Sequence, residues 1–181
     1  VAPANPYDAK GLLIASINDP NPVMFLEHKK LYRKPDLKME VPLGLYEVEI
    51  GKANIVKEGF DVTLVVWSGM VPTALEAAAT LNDEGISVEV IDLRSIFPID
   101  EETILKSVEK TSNLVILQED VPFSSIASEI SSFVADKGFW TLDNRIVKVT
   151  SPNTHIPFAP VLEDNFIPST ENVIKAIKEL Q

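Results

Sequence analysis

The chain has 181 residues, 45% hydrophobic and 24% charged, which suits one domain or one domain with an attached piece. Its formal net charge of −11 argues against a nucleic-acid partner, which would need clustered Lys and Arg; it favours a basic protein partner, although solubility alone accounts for the same charge. The absence of cysteine excludes a disulfide scaffold, thiol catalysis and thiolate metal sites, and two histidines, His28 and His155, leave little for zinc.

In chain order, Val1 to Tyr7 reads as a loop, and Asp8 is placed to cap a helix carrying Leu12, Leu13 and Ile17. Val23 to Leu26 lies between the turn Asp19-Pro20-Asn21-Pro22 and the charged stretch Glu27 to Lys30, so it reads as a short buried strand. Leu31 to Pro42, rich in Pro, Lys and Glu, has the composition of a connector between domains. Lys52 to Val56 is a strand joined through Glu58-Gly59 to Val62–Trp67, whose nearly unbroken apolar or β-branched run marks a parallel strand covered on both faces.

Pro72 in a first turn, the 3–4 spacing of Val71, Leu75, Ala78 and Ala79, and a stop at Gly85 predict a helix, and residues 87–93 repeat the buried-strand pattern around Glu89. This is a βαβ unit, so function is expected at the carboxyl ends of its strands, at Ser68-Gly69 and Leu93-Arg94-Ser95. Asp100 caps the next helix, with Glu101 and Glu102 at the positive end of its dipole and Ile99 and Ile104 as a hydrophobic staple. Leu114–Leu117 is a buried strand. Ser124 or Ser125 starts a helix with Ile126, Ile130, Phe133 and Val134 on one face, ending at Gly138. Arg145–Val149 is a further strand. An irregular loop, Ser151 to Pro168, then precedes a last helix capped by Ser169 or Thr170, with Val173, Ile174, Ile177 and Leu180 inward. The alternation predicts an α/β fold with a doubly wound, mainly parallel sheet over about residues 46–181.

EVIDLRSIFPID at 89–100, FLEHKKLYR at 25–33, VLEDNFIP at 161–168 and the run Pro3-Ala4-Asn5-Pro6-Tyr7-Asp8-Ala9-Lys10-Gly11-Leu12 carry a resemblance. The chain resembles, along essentially its whole length, the carboxyl-terminal half of the β subunit of the thiamine-diphosphate-dependent 2-oxo acid dehydrogenases. The resemblance implies that residues 1–45 are the end of the pyrimidine-binding domain plus a connector, and 46–181 a transketolase-like carboxyl-terminal domain. It implies an enzyme that decarboxylates a 2-oxo acid, pyruvate or a branched-chain one, and acylates a lipoyl arm. Thiamine diphosphate with Mg would belong to the full assembly, not to this chain alone. The implied partners are an α subunit, a second β subunit and the basic subunit-binding domain of the lipoyl acyltransferase. With no run near the ~18 apolar residues of a membrane span and no signal-peptide layout at the amino terminus, the expected location is the cytoplasm, or the mitochondrial matrix in a eukaryote. A stand-alone acidic interaction domain without catalysis is the alternative.

No catalytic or cofactor-binding residue is expected within the chain. The family's β-subunit carboxylate and histidine match positions upstream of Val1, its diphosphate–metal motif lies on the α subunit, and the sequence contains no Gly-Asp-Gly, P-loop or GxGxxG pattern. Gly59, Gly69 and Gly85 read as turn or cap glycines. A helix end followed by an Asp/Asn turn presents oxygens that suit a hard cation, and the family's structural potassium site matches Ser16, Ile17, Asp19 and Asn21; a plain turn with Asx hydrogen bonds is the simpler reading. Glu27 and His28 would point to opposite faces of a strand and not cooperate. His155, in a proline-rich loop, reads as packing or subunit contact. Glu119-Asp120 ends a strand where ligands are expected, but the following Val121-Pro122-Phe123-Ser124-Ser125 departs from the family's glycine-containing turn, and the pair reads as solvated. Trp67 and Trp140 read as core or interface aromatics.

Overall fold

The computed structural model describes residues 1–180, and Gln181 lies outside the description. Its helices are α1 (Pro6–Asn18), α2 (Val71–Asp83), α3 (Glu101–Thr111), α4 (Ile126–Lys137), α5 (Pro160–Phe166) and α6 (Thr170–Lys178). Its strands are β1 (Asn54–Lys57), β2 (Val62–Val66), β3 (Val88–Asp92), β4 (Leu114–Leu117) and β5 (Val147–Val149), in the sheet order β1-β3-β2-β4-β5. Three of the four pairings are parallel, and β1 runs antiparallel to β3.

The sheet is buried on both faces, and the period of two along each strand divides its side chains between two cores. Leu64, Val66, Val90, Val115 and Leu117 face α2 and α6, whereas Val65, Ile91, Leu114 and Ile116 face α3 and α4. Several polar residues inside are satisfied locally. Thr63 Oγ1 shares hydrogen bonds with Ser107 Oγ at 2.6 Å and Thr111 Oγ1 at 2.7 Å, and the buried Glu89 carboxylate pairs with Lys110. Burial pushes the Glu89 carboxyl up, but hydrogen bonds led by Lys110 outweigh it and hold the group below its usual range. Gly59 is required by close approach: a Cβ there would lie 2.1 Å from the backbone nitrogen of Glu89 on β3.

The helix starts show which local signals governed. Asp100 accepts from Thr103 N at 3.2 Å, Ser125 from Ser128 N at 3.4 Å, and Ser169 forms a capping box with Asn172. At α1 the expected cap is corrected. Asn5 is the N-cap, accepting from Asp8 N at 2.9 Å, and Pro6 occupies the first turn, so Asp8 falls inside the helix and is buried. Residues 23–26 are also corrected. They are extended, with Val1 N donating to Met24 O at 2.8 Å and Leu26 N donating to Val1 O at 2.9 Å, but they join no ladder among the described residues, and Met24 and Leu26 are exposed. The expected irregular loop 151–168 contains α5, begun by Pro160. The connector winds through two short 3₁₀ turns, Lys29–Arg33 and Pro35–Leu37. Val1, Leu12 and Val48 form a third small cluster beside the sheet.

Candidate functional site

From the centre of the sheet, β2 leads through α2 to β3 on one side, while β4 leads through α4 to β5 on the other. The crevice outside the carboxyl ends of β2 and β4 is therefore the topological switch point, where open α/β sheets bind ligands. It is lined by Trp67, Ser68, Gly69, Met70, Glu119 and His28 around a cavity of about 180 Å3. Ser68 adopts a left-handed φ of 51°, which turns the chain sharply from β2 into α2.

His28 enters this crevice from the amino-terminal segment. Its Nε2 lies 2.9 Å from Glu119 Oε2, and its Nδ1 is buried without a partner among the described residues. The bond to a carboxylate fixes the proton on Nε2 in the neutral ring. Gly69 makes room for the ring, because a Cβ there would lie 2.7 Å from His28 Cδ2 and Nε2. Ser68-Gly69, where function is expected, Glu119 of the Glu119-Asp120 pair and His28 of the Glu27-His28 pair thus meet in one crevice. Gln118, which that reading passed over, organises the β4 exit. Its Nε2 donates to Asp120 O at 3.2 Å and Val121 O at 2.7 Å, and its Oε1 accepts from Ala127 N at 2.9 Å. A buried amide of this kind orders the departing loop Val121–Ser125 without a glycine.

Glu27 and His28 line a second cavity of about 360 Å3, along with Pro6, Phe25, Leu31 and Lys34. The two side chains bond different partners, His28 to Glu119 and Glu27 to Tyr32. Glu27 is held by the Tyr32 hydroxyl, which donates to it.

The second expected function point, Arg94-Ser95, is used in structure. Arg94 has a φ of 56°, and Nη1 reaches Asp8 Oδ1 at 3.1 Å, Nε the carbonyl of Lys52 at 3.1 Å and Nη2 that of Ala53 at 3.2 Å. Beside it, Asp92 is fully buried. At the candidate cation site, Asp19 Oδ1 accepts from Asn21 N at 2.8 Å and from its Nδ2 at 3.1 Å, the Ser16 hydroxyl donates to Leu12 O at 2.6 Å, and Ile17 is exposed. Among the described residues no three His, Cys, Asp or Glu side chains converge to hold a metal. His155 is exposed, in a loop whose Ile156 and Phe158 are also exposed. Trp67 packs against the α3–α4 core, whereas Trp140 is 94% exposed and Phe139 meets it edge-on at 5.2 Å. No helix is long and apolar enough to cross a membrane among the described residues.

Residues 51–173, nearly the whole sheet with its helices, match the transketolase C-terminal domain. The chain belongs to that family. A split-gene transketolase, solved as an inactive β4 tetramer, shares its fold with a TM-score of 0.79 at 24% identity, over 99% of this chain and 56% of that one. Among curated relatives, the β subunit of acetoin:2,6-dichlorophenolindophenol oxidoreductase from Bacillus subtilis is 49% identical over 99% of this chain. The β subunits of pyruvate dehydrogenase from Acholeplasma laidlawii and of 2-oxoisovalerate dehydrogenase from Bacillus subtilis are 46% and 39% identical, each over 99% of it. The chain spans about half the length of these relatives, 52% to 55%. The resemblance read from the sequence, and the α/β sheet it implied, thus agree with the relatives and with the fold.

Proposed function

We propose that this chain is the carboxyl-terminal half of the β subunit of a thiamine-diphosphate-dependent dehydrogenase, with residues 1–45 closing the pyrimidine-binding domain and 46–181 forming the transketolase-like domain. The observation that carries the reading is identity of 39% to 49% with three such β subunits along 99% of the chain. The described residues do not fit the cofactor: no three His, Cys, Asp or Glu side chains among them converge to hold a metal, and His28, bonded to Glu119, forms one wall of the 180 Å3 switch-point crevice. This half accordingly serves assembly with an α subunit and a second β subunit, and docking of the acyltransferase. The full-length protein, co-expressed with its α subunit, is expected to turn over with added thiamine diphosphate, read by reduction of dichlorophenolindophenol, while residues 1–181 alone give no turnover. Turnover by the 181 residues alone, or none by the full assembly, overturns the reading. A 2-oxo acid is the first substrate class. Acetoin is the second, favoured by the 49% and 48% identity to two acetoin-oxidising relatives. Pyruvate, 2-oxoisovalerate and acetoin compared in the same assay separate them.

Docking of the acyltransferase's basic domain is supported by the exposed Phe139–Trp140 pair, which shares a surface depression with Asp143 and with Glu179, itself paired with Arg145 at 3.2 Å. Aromatic anchors beside carboxylates suit Arg and Lys side chains. Trp140→Ala is expected to weaken binding of that domain at least about tenfold, as loss of an interface anchor does; unchanged affinity in calorimetry rules the surface out.

For the cation site at Ser16, Ile17, Asp19 and Asn21, potassium remains the proposed ion, supported by the acidic cap Asp19 and a last turn of α1 without a basic residue. The full-length protein is expected to melt higher in KCl than in NaCl at equal ionic strength, and equal melting in both removes the site.

A further inference from the structure

The connector that follows the amino-terminal segment is basic: Lys29, Lys30, Arg33, Lys34 and Lys38 fall within ten residues of an otherwise acidic chain. His28, just before it, and Lys30, within it, reach acids beyond the carboxyl ends of the strands. His28 Nε2 meets Glu119 Oε2 at 2.9 Å across 91 positions, and Lys30 Nζ meets Glu163 Oε1 on α5 at 2.7 Å across 133 positions. Contacts so distant in sequence hold the connector to the sheet domain rather than to itself. Glu163 raises the Lys30 ammonium above its usual range against the opposing effect of burial, and Glu119 adds to the same effect, so the two pairs share one electrostatic field. His28 is also a wall common to the 180 Å3 crevice and the 360 Å3 cavity.

We propose that His28–Glu119 and Lys30–Glu163 form a latch that closes the connector over the carboxyl ends of β2 and β4, and that its release joins the two cavities into one accessible groove. The partners are partly exposed, with side-chain accessibilities of 24% and 37% in one pair and 55% and 33% in the other. Salt therefore weakens the latch. Gly69 sets the fit of the imidazole, so a Cβ there, 2.7 Å from the ring, releases the latch without altering any charge.

Limited trypsin digestion reads the open state directly, because the connector carries the cleavage sites and slow cutting tracks the open population. In the full-length protein, Glu119→Gln combined with Glu163→Gln is expected to speed cleavage between Lys29 and Lys38 roughly three- to tenfold, with each single change and Gly69→Ala giving less. Raised NaCl should speed the wild type but not the double variant. The exchanged pair Lys30→Glu with Glu163→Lys should recover protection relative to Lys30→Glu alone, which lacks the same cleavage site, while the melting temperature of the sheet domain stays constant. The latch is overturned if the double variant is cut at the wild-type rate, if the exchange recovers nothing, or if faster cutting only follows a fall in melting temperature.

Discussion

Replacing Arg94 with methionine is expected to destabilise the protein by about 3–5 kcal/mol, the cost of breaking a buried ion pair from one side. Asp8 is 2% exposed, and the Arg94 guanidinium 3.1 Å away is its cationic partner. The same guanidinium ties the carbonyls of Lys52 and Ala53 at the approach to β1, and the Arg94 carbonyl accepts from Ala2 N at 2.7 Å. The side chain therefore fastens α1 to the edge of the sheet, while the backbone of the same residue holds the amino terminus. Methionine keeps much of the apolar stem and removes the charge, which leaves the Asp8 carboxylate buried beside Asp92 with no counter-charge. Urea denaturation measures the loss, and at this chain length it corresponds to a fall in melting temperature of roughly 10 °C. Asp8→Asn made together with Arg94→Met should cost less than the two changes summed, since the stranded charge is gone. A loss below about 1 kcal/mol in the single variant would mean that Asp8 is solvated on unfolding its own helix and that the pair is not the fastening described.

Stability is also expected to fall as pH rises from about 4 to 7, and Asp92→Asn should remove most of that slope. Asp92 ends β3 with Oδ1 accepting from Arg94 N at 3.1 Å and Oδ2 buried without a partner among the described residues. Burial pushes its carboxyl from 3.8 up to about 7; the Arg94 N–H opposes this, the Asp8 charge adds to it and the Arg94 charge opposes it. A group whose pKa is higher in the folded than in the unfolded state binds its proton more tightly when folded. Its contribution is thus complete below the unfolded value and lost as pH rises through the folded one. At ~1.4 kcal/mol per pH unit the span amounts to about 4 kcal/mol. The carboxyls of Glu89, Asp100, Glu102 and Glu171 are held below their usual range, so their contributions are lost only as the solution becomes more acidic than that range, and the difference between wild type and Asp92→Asn above pH 5 reports on Asp92. Denaturation curves of the wild type and Asp92→Asn at pH 5 and 8 give the test: parallel stabilities across that interval would place the charge of Asp92 in water.

How far the sequence led depended on the distance over which each signal acts. Asp100, Ser125 and Ser169 act within one helical turn, and each caps the helix expected of it. The buried runs of β2, β3 and β4 are equally local, and their alternation with helices pointed to a doubly wound, mainly parallel sheet, whose strand order only the structure gives. At α1 two capping candidates competed, and Asn5 with Pro6 behind it prevailed because Asp8 is drawn inward by Arg94, 86 positions away. Residues 23–26 carry a strand's apolar content but, among the described residues, pair through the backbone with Val1, which no pattern in the segment announces. The candidate site follows the same rule. Ser68-Gly69 was legible from the strand that precedes it, whereas the meeting of His28 with Glu119 depends on how the segment before the sheet folds back. Gln118 gave no signal beyond being a polar residue next to a buried run, and only its three hydrogen bonds identify it as the organiser of the loop.

The rims of the sheet bear on how copies of this protein can meet. At one rim β5 is only three residues long, its outward Lys148 is exposed, and Pro152, with no N–H to offer, follows shortly after. At the other, β1 has four residues and slips register between Ile55 and Lys57. Short, charged and irregular rims resist backbone pairing between molecules. Fibril growth by strand addition is therefore blocked while the sheet is intact, and crowding of the folded protein should bring together the exposed side chains of Leu43, Trp140 and Phe158 instead of extending the sheet.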